Sequence, residues 1–274
     1  DTLWIGSLNG LYTYQLNTKK LASLDSKSNG LPHHTIYSII RTTDNQIYVG
    51  TYNGLCRYIE ESGKFENIPL PVNRSVSNLF VNSLLEDTSR QCIWIGMEGS
   101  LFQYTQATGL MKPIDAFHNN SIKSLALDGN GNLLAGTDNG LYVYQNDNGT
   151  LQHIVHDSRN IQSLTNNIIW NIFADQEQNI WLGTDYGISL SRYNSALQFI
   201  PISQITGTGD GNQFYSLFRD SKGFYWFGGT NGVIRFTNPT GNKHDAVWYR
   251  MGDKHHPLSH NRIRHIYEDR EQQL

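Results

Sequence analysis

Short apolar runs alternate with polar turns along the whole chain, a spacing typical of β-strands rather than helices. One run ends in glycine and is followed four residues later by a second glycine, as in Leu3 to Gly6 before Gly10. The run recurs, and its final glycines are Gly6, Gly50, Gly96, Gly136, Gly183 and Gly228. Their spacing of 40 to 47 residues is that of a four-stranded blade. The pattern therefore predicts an all-β fold, a β-propeller with six repeats.

Each repeat is predicted to supply four strands, a to d in chain order. Asn-Gly pairs such as Asn53-Gly54 favour a tight hairpin between strands b and c. Strand d has the weakest pattern, as in 65–70, 151–155 and 197–202, which suits an outer edge. Strand b starts near residues 3, 47, 93, 133, 180 and 225. Strand a is predicted at 36–41, 81–86, 122–127, 169–174, 214–219 and 263–268.

Residues 1–274 are expected to form a single propeller domain or a propeller fragment. The final strand a, 263–268, has no strand b after it in the sequence. In a six-bladed ring it would pair beside Leu3–Gly6, so that both chain ends complete the first blade and no edge stays open. The alternative is that the chain is part of a seven-bladed ring. A start at Asp1 without a signal segment indicates a piece of a longer protein.

Recurring side chains also indicate structural roles. Tryptophans at one position of strand b are expected to be buried between blades, and they are Trp4, Trp94, Trp181 and Trp226. Aspartates that open the a–b turns are expected to accept backbone N–H groups, as predicted for Asp128, Asp175 and Asp220. The pair Glu98-Gly99 departs from the other b–c turns, so a different turn shape is predicted there.

Composition excludes several classes of function. A net charge of −3, with no basic run longer than Lys19-Lys20, argues against direct nucleic-acid binding. The sequence contains no apolar stretch long enough to span a membrane. Cys56 and Cys92 lack metal-type spacing and are expected to be small buried residues, with a disulfide only if their backbones come within about 7 Å. No metal or other cofactor is expected.

Three segments resemble the two-component regulator propeller repeat: Asn29 to Leu55, Leu164 to Gly187 and Leu258 to Asp269. The resemblance lies in the joint pattern of Leu-x-x-Asn, an apolar strand, a polar turn, Trp-x-Gly-Thr and Asn-Gly-Leu. It covers essentially the whole chain, although His34 and Leu79 stand where the motif has Asn, which predicts differently built blade starts. Streptogramin lyases and some propeller glycosidases carry similar strands.

The resemblance implies the periplasmic sensor region of a hybrid two-component system of Bacteroides-type bacteria. The ligand would be an oligosaccharide from a complex glycan. The remaining sensor, membrane and histidine kinase regions, with a DNA-binding regulator, would belong to the same inner-membrane polypeptide. A homodimer is left open by the sequence.

The candidate ligand site is a set of equivalent positions. The second residue of each strand a is chemically varied while the residue before it is always apolar, which predicts a ring facing a channel. The ring consists of Tyr37, Asn82, Lys123, Trp170, Tyr215 and Arg264. Aromatic faces with amide and cationic donors suit a sugar. The b–c turns add Tyr52 and Tyr186, and the d–a loops add His33, Arg74, His118, Arg159 and His255.

Two other functions remain open on the residues alone. Acids in the b–c turns, Glu98, Asp138 and Asp185, are the residue types that a glycosidase uses in pairs, so a propeller lyase or glycoside hydrolase is one alternative. A protein-interaction scaffold is the other. The prediction for this segment is a non-catalytic sensor.

Overall fold

The computed structural model confirms the all-β fold of a six-bladed propeller. It describes residues 2–25, 27–71, 79–117, 119–145, 149–193, 199–201, 212–237, 246–255, 257–269 and 271–274. Contacts divide the chain into two compact units, residues 1–125 and 126–274. Whether the whole chain is a single domain stays a prediction.

The first unit contains blades 1 to 3 and the beginning of blade 4. Blade 1 contains β1 Thr2–Ser7, β2 Gly10–Gln15 and β3 Lys20–Leu24. Blade 2 contains β4 Ile36–Arg41, β5 Ile47–Thr51, β6 Gly54–Ile59 and β7 Lys64–Ile68. Blade 3 contains β8 Val81–Asp87, β9 Cys92–Met97, β10 Ser100–Thr105 and β11 Leu110–Pro113, followed by a 3₁₀ turn at Asp115–Phe117.

The second unit contains the rest of blade 4 and blades 5 and 6. Blade 4 contains β12 Ile122–Leu127, β13 Leu133–Thr137, β14 Gly140–Gln145 and β15 Thr150–Ile154. Blade 5 contains β16 Ile169–Ala174, β17 Ile180–Thr184, β18 Gly187–Ser191 and β19 Phe199–Pro201. Blade 6 contains β20 Phe214–Arg219, β21 Tyr225–Gly229, β22 Gly232–Phe236 and β23 Val247–Tyr249.

In each sheet the strands lie in chain order, from strand a to strand d. The predicted strands a of blades 2 to 6 are all present, and four of the five have the predicted bounds. Blade 1 has only strands b to d in the described residues. These hairpin-connected antiparallel sheets are what the Asn-Gly turns predict.

The prediction of a final strand at 263–268 is wrong, because no strand is assigned to these residues. A strand needs a second backbone for its ladder, and none is described beside this segment. Its position on blade 6 is nevertheless that of a strand a. Ile263 donates its backbone N–H to the Gly229 carbonyl at 2.8 Å, and a Cβ built on Gly228 would lie only 2.7 Å from Cγ2 of Ile263. Val81 approaches Gly50 equally closely at the start of β8.

The hydrophobic cores lie between neighbouring blades. In the first unit, Leu11 of blade 1 packs with Ile36, Val49 and Cys56 of blade 2, and Tyr48 of blade 2 packs into the core of blade 3. In the second unit, Trp181 of blade 5 is fully buried in the core of blade 6. Strand b of blades 2 to 6 is therefore buried on both faces, which explains its continuous apolar run.

The tryptophan prediction is confirmed for Trp94 and Trp181, which are 1% and 0% exposed. It is wrong in degree for Trp4 and Trp226, which are only partly buried. Trp4 belongs to the three-stranded blade and packs edge-on against Tyr58 of blade 2. Trp226 lies beside Tyr249 and Arg235 of its own blade, so only part of its ring is covered.

The turn aspartates have the predicted structural role. Asp128, Asp175 and Asp220 each accept backbone N–H groups through Oδ1 at 2.8 to 3.0 Å. In blades 5 and 6 the second carboxylate oxygen also accepts the N–H of the strand b tryptophan. The sequence did not reveal this second bond, since the two residues lie six positions apart.

The blade-start and turn predictions have mixed outcomes. The glycine of a b–c turn donates its backbone N–H to the carbonyl of the motif asparagine that starts the next repeat, which is Asn120, Asn167, Asn212 or Asn261. Gly54 donates in the same way to the backbone carbonyl of Leu79. The start at Leu79 is therefore not built differently in this respect, because a backbone carbonyl makes the bond. The Glu98-Gly99 turn does differ, since Ser100 pairs with Met97 and the glycine lies within the turn.

Cys56 and Cys92 are both fully buried and free, so the structure contains no disulfide between them. Burial raises the pKa of the Cys56 thiol to about 12. These cysteines are packing residues, as the sequence predicts.

Candidate functional site

Four ring residues occupy β-bulges at the start of strand a. Ladder pairing skips from Ile36 to Ser38, from Val81 to Ser83, from Ile169 to Asn171 and from Phe214 to Ser216. The skipped residues are Tyr37, Asn82, Trp170 and Tyr215. A bulge leaves its extra residue outside the ladder and redirects its side chain. The variable ring position is thus a structural feature of the blades as well as a sequence pattern.

In the second unit, Trp170 lies at the centre of a hydrogen-bonded cluster. Its indole N–H donates to Oδ1 of Asp185 in the b–c turn at 2.9 Å. The amide of Gln213 donates to the same oxygen at 2.7 Å, and the Tyr215 hydroxyl donates to Oε1 of Gln213. The rings of Trp170 and Tyr215 meet edge to face at 5.5 Å. These four residues, together with Arg262 and Arg264, are called the Trp170 cluster below.

The cationic part of the Trp170 cluster is exposed. The guanidinium carbon of Arg264 lies 4.3 Å from the centre of the Tyr215 ring, and that of Arg262 lies 5.9 Å from it. Tyr215 itself is buried, whereas both arginines are exposed and Trp170 is half-buried. The structure thus brings together the ring positions Trp170, Tyr215 and Arg264.

In the first unit, Tyr37 and Tyr52 meet on Phe80. The Phe80 ring lies 4.0 Å from Tyr52 and 6.1 Å from Tyr37, and His33 contacts the Tyr52 ring at 4.9 Å. Tyr37 and Tyr52 are 42% and 40% exposed, so their rings form an accessible aromatic surface. Partial burial raises the pKa of Tyr37, with smaller effects from Tyr52 and Glu98. Burial, together with the stacked His34, lowers the pKa of His33.

The remaining predicted site residues, Asn82, Lys123 and Tyr186, lie at separate places on the blades. Asn82 donates its amide to the Ile122 carbonyl at 3.0 Å and so ties two neighbouring strands together. Lys123 is half-buried on β12. Tyr186 is 50% exposed on the turn next to Asp185. Three ring residues belong to each of the two compact units, so convergence of all six on one axis stays a prediction.

The residues predicted from the d–a loops and the b–c turn acids make no described contact with the Trp170 cluster, except Asp185, which belongs to it. Arg159 forms an ion pair with Asp157 in its own loop, and the backbone N–H of His255 is bonded to Asp253. Arg74 and His118 lie outside the described residues. Among the turn acids, Asp138 is exposed, and Glu98 accepts a hydrogen bond from the Ser121 hydroxyl at 2.6 Å.

A second repeat position, which the sequence analysis missed, also contacts the site. It is the residue directly before strand a, occupied by Thr35, Phe80, Ser121, Ile168, Gln213 and Arg262. In four repeats the side chain at this position contacts the b–c turn of the preceding blade. The contacts are Thr35 with Leu8, Phe80 with Tyr52, Ser121 with Glu98 and Gln213 with Asp185. The signal was available, because this position is as variable as the ring position two residues later.

Comparison with protein families identifies the repeat. A family described as two component regulator propeller matches residues 30–53, 163–186 and 208–231. Each segment begins six residues before strand a and ends in the b–c turn, in blades 2, 5 and 6 respectively. They contain Tyr37, Trp170 and Tyr215.

Comparison with individual proteins gives two relatives that are much longer than this chain and one distant protein of similar length that shares its fold. The chain is 82% identical to the extracellular domain of the hybrid two component system BT4673 from B. thetaiotaomicron, covering 99% of this chain and 37% of that one, with a TM-score of 0.69. It is 31% identical over 269 residues to histidine kinase P4 of Formosa agariphila, covering 86% of this chain and 18% of that protein. Virginiamycin B lyase from Staphylococcus aureus shares the fold at 13% identity, with a TM-score of 0.68 and coverage of 92% and 82%.

Proposed function

Because this chain belongs to the two-component regulator propeller family, we propose that it is the ligand-sensing part of a hybrid two-component signalling protein and that its ligand is an oligosaccharide. The relative BT4673 supports the sensor role, since the matched region lies in the extracellular domain of such a system. The chain spans about a third of that domain and less than a fifth of histidine kinase P4. Membrane, kinase and regulator regions would lie elsewhere in the same polypeptide.

The observation that carries the proposal is the Trp170 cluster. An oligosaccharide presents apolar ring faces and a rim of hydroxyl groups, so its binding site combines aromatic faces with fixed polar groups. Here the Trp170 indole is half-buried, held by Asp185 and braced edge-on by Tyr215. A pre-oriented ring loses little conformational entropy on binding, which favours affinity. The surface of Tyr37 and Tyr52 is the candidate for further sugar contacts in the first unit.

The proposed location is the periplasm, as the sensor segment of an inner-membrane protein. The matched region of BT4673 is extracellular, which supports a position outside the cytoplasm. Within the part of the chain that the structure describes, no helix has the length and apolar character that crossing a bilayer requires.

The segment is proposed to bind without catalysis. A glycosidase needs two carboxyl groups, one acting as general acid and the other as base or nucleophile. In this chain Asp185 is an acceptor for Trp170 and Gln213, and Glu98 for Ser121, so both carboxylates are used to hold side chains. The likeness to virginiamycin B lyase concerns the fold alone.

Binding is tested by calorimetry of the 274-residue chain against a panel of plant, algal and host oligosaccharides, with product analysis by chromatography. We expect at least one oligosaccharide to bind intact. Trp170→Ala should abolish this binding while leaving the melting temperature nearly unchanged. Tyr193→Ala is the matched control, because Tyr193 is an exposed aromatic residue of the same unit outside the cluster.

Two outcomes would contradict the proposal. One is cleavage of the oligosaccharide that disappears when Glu98, Asp138 or Asp185 is replaced. The other is a Trp170→Ala variant that loses stability but keeps its affinity, which would make Trp170 a core residue.

A further inference from the structure

Two exposed arginines of the Trp170 cluster share one aromatic ring. Arg264 lies over Tyr215 at 4.3 Å, which is stacking distance for a guanidinium, and Arg262 lies 5.9 Å from the same ring centre. They lie two residues apart in the extended segment that follows blade 6, Arg264 at the ring position and Arg262 two residues before it. The chain therefore places two positive charges on Tyr215, the ring that also meets the indole of Trp170.

Neither charge is neutralised by an ion pair within the described part of the chain. Other arginines there do form ion pairs, as Arg57 does with Glu66, Arg159 with Asp157 and Arg219 with Glu177. Asp185, the carboxylate of the cluster, directs one oxygen at the N–H groups of Trp170 and Gln213. Two neighbouring cations repel each other, and an anion placed between them removes that repulsion.

The stacking of Arg264 also determines which of its groups remain available. A guanidinium that lies over a ring uses its face, while its N–H donors point outward in its own plane. These in-plane donors match a carboxylate or sulfate group, which accepts two parallel hydrogen bonds. A neutral sugar ring would use the indole face of Trp170 but would leave both charges without a partner.

We propose that the oligosaccharide bound at the Trp170 cluster is acidic, and that its carboxylate or sulfate group is held by Arg262 and Arg264 beside the stacked sugar. This inference rests on the proposed function, since it names the chemical class of the ligand at that same site. It assigns the two arginines as the residues that determine specificity.

Matched probes separate charge from shape. Trigalacturonic acid and its methyl ester share the same sugar rings and linkage, but only the acid carries carboxylates, and sulfated disaccharides test the other anion. Calorimetry with the 274-residue chain at low and high salt should show binding of an acidic probe and at least roughly tenfold weaker binding of its neutral counterpart, as expected for loss of charge-assisted hydrogen bonds. High salt should weaken the acidic complex.

Arg264→Gln and Arg262→Gln should each remove most of the preference for the acidic probe while leaving the melting temperature unchanged. Arg250→Gln is the matched control, because Arg250 also stacks on an aromatic ring, 4.0 Å from the centre of Trp248, but lies outside the cluster. Its replacement should leave the preference intact.

The outcomes distinguish the two proposals. If neutral oligosaccharides bind as tightly as acidic ones in a Trp170-dependent manner, and the arginine variants bind normally, the acidic ligand is ruled out while the sensor proposal stands. If no oligosaccharide of either kind binds, the proposed function fails and this inference fails with it. A charge preference that persists in both arginine variants also overturns the assignment.

Discussion

The indole of Trp181 donates its N–H to Oδ2 of Asp175 at 2.8 Å, and both side chains are buried where blade 5 meets blade 6. The same carboxylate oxygen accepts the Tyr225 hydroxyl of blade 6 at 3.2 Å. Asp87 and Trp94 in blade 3, and Asp220 and Trp226 in blade 6, repeat the indole–carboxylate bond. The a–b turn, strand b and the next blade are thus joined through one side chain.

Replacing Trp181 separates packing from this hydrogen bond. Trp181→Ala should lower the free energy of unfolding by ~3–5 kcal/mol, as for other buried aromatic residues. Trp181→Phe keeps most of the packing but leaves the buried Asp175 without one donor, so a loss of about 1–3 kcal/mol is expected. Chemical denaturation measures both values. A smaller loss is expected for Trp226→Phe, because Trp226 is only partly buried.

Stability should depend on the ionisation of Asp87. Burial by itself would raise the pKa of Asp87, but hydrogen bonds from Ser89, Trp94 and Arg90 outweigh burial and lower it. The folded pKa is therefore below the unfolded value near 3.8, so the stabilisation is complete above about pH 5 and is lost as the pH falls through the folded pKa.

Denaturation of the wild type and Asp87→Asn between pH 7 and pH 3 tests this dependence. The difference between their unfolding free energies should be largest at pH 7 and shrink below about pH 4. Glu60→Gln is the control, since Glu60 is exposed, and its effect should be small throughout. A difference for Asp87→Asn that stays constant with pH would show that the carboxylate charge is not responsible.

The sequence predicted more of the fold than of the site. Strand bounds were predictable because each blade repeats its glycine and its turn residue, so β4, β12, β16 and β20 have the predicted ends. The sequence could not show that residues 263–268 form no strand, because an alternating pattern does not reveal whether a second backbone is present for the ladder. A strand and an unpaired extended segment share the same period.

The site was predicted by position but not by mechanism. Variation at one repeat position identified Trp170 and Tyr215, yet periodicity contains no signal for a bulge, so their redirection from the ladder had to come from the structure. Gln213 and Arg262 were missed because they directly precede the predicted strand a and do not lie on it. Their contacts depend on the preceding turn and on a neighbouring ring, which a period within one blade does not encode.

The thiols should be unreactive in the folded protein. Burial raises the pKa of Cys56 to about 12 and also raises that of Cys92, so thiolate is scarce at neutral pH and neither sulfur is accessible. A disulfide-exchange reagent at pH 8 should label two thiols per chain in denaturant and almost none without it. Rapid labelling of native protein would show that blades 2 and 3 open readily.

The last prediction concerns Asp185, which we expect to position Trp170 rather than to contact the ligand as an acid. Asp185→Ala removes the acceptor shared by Trp170 and Gln213, so the indole gains rotational freedom that oligosaccharide binding must then remove. Affinity should fall by roughly tenfold, whereas Asp185→Asn, which keeps an acceptor oxygen, should retain most of it. Asp138→Ala is the matched control, because Asp138 occupies the equivalent turn position of blade 4 and is exposed. Calorimetry with the best ligand of the panel measures all three variants. Equal losses for Asp185→Asn and Asp185→Ala would instead assign the role to the carboxylate charge, and unchanged affinity in both would mean that the indole needs no positioning.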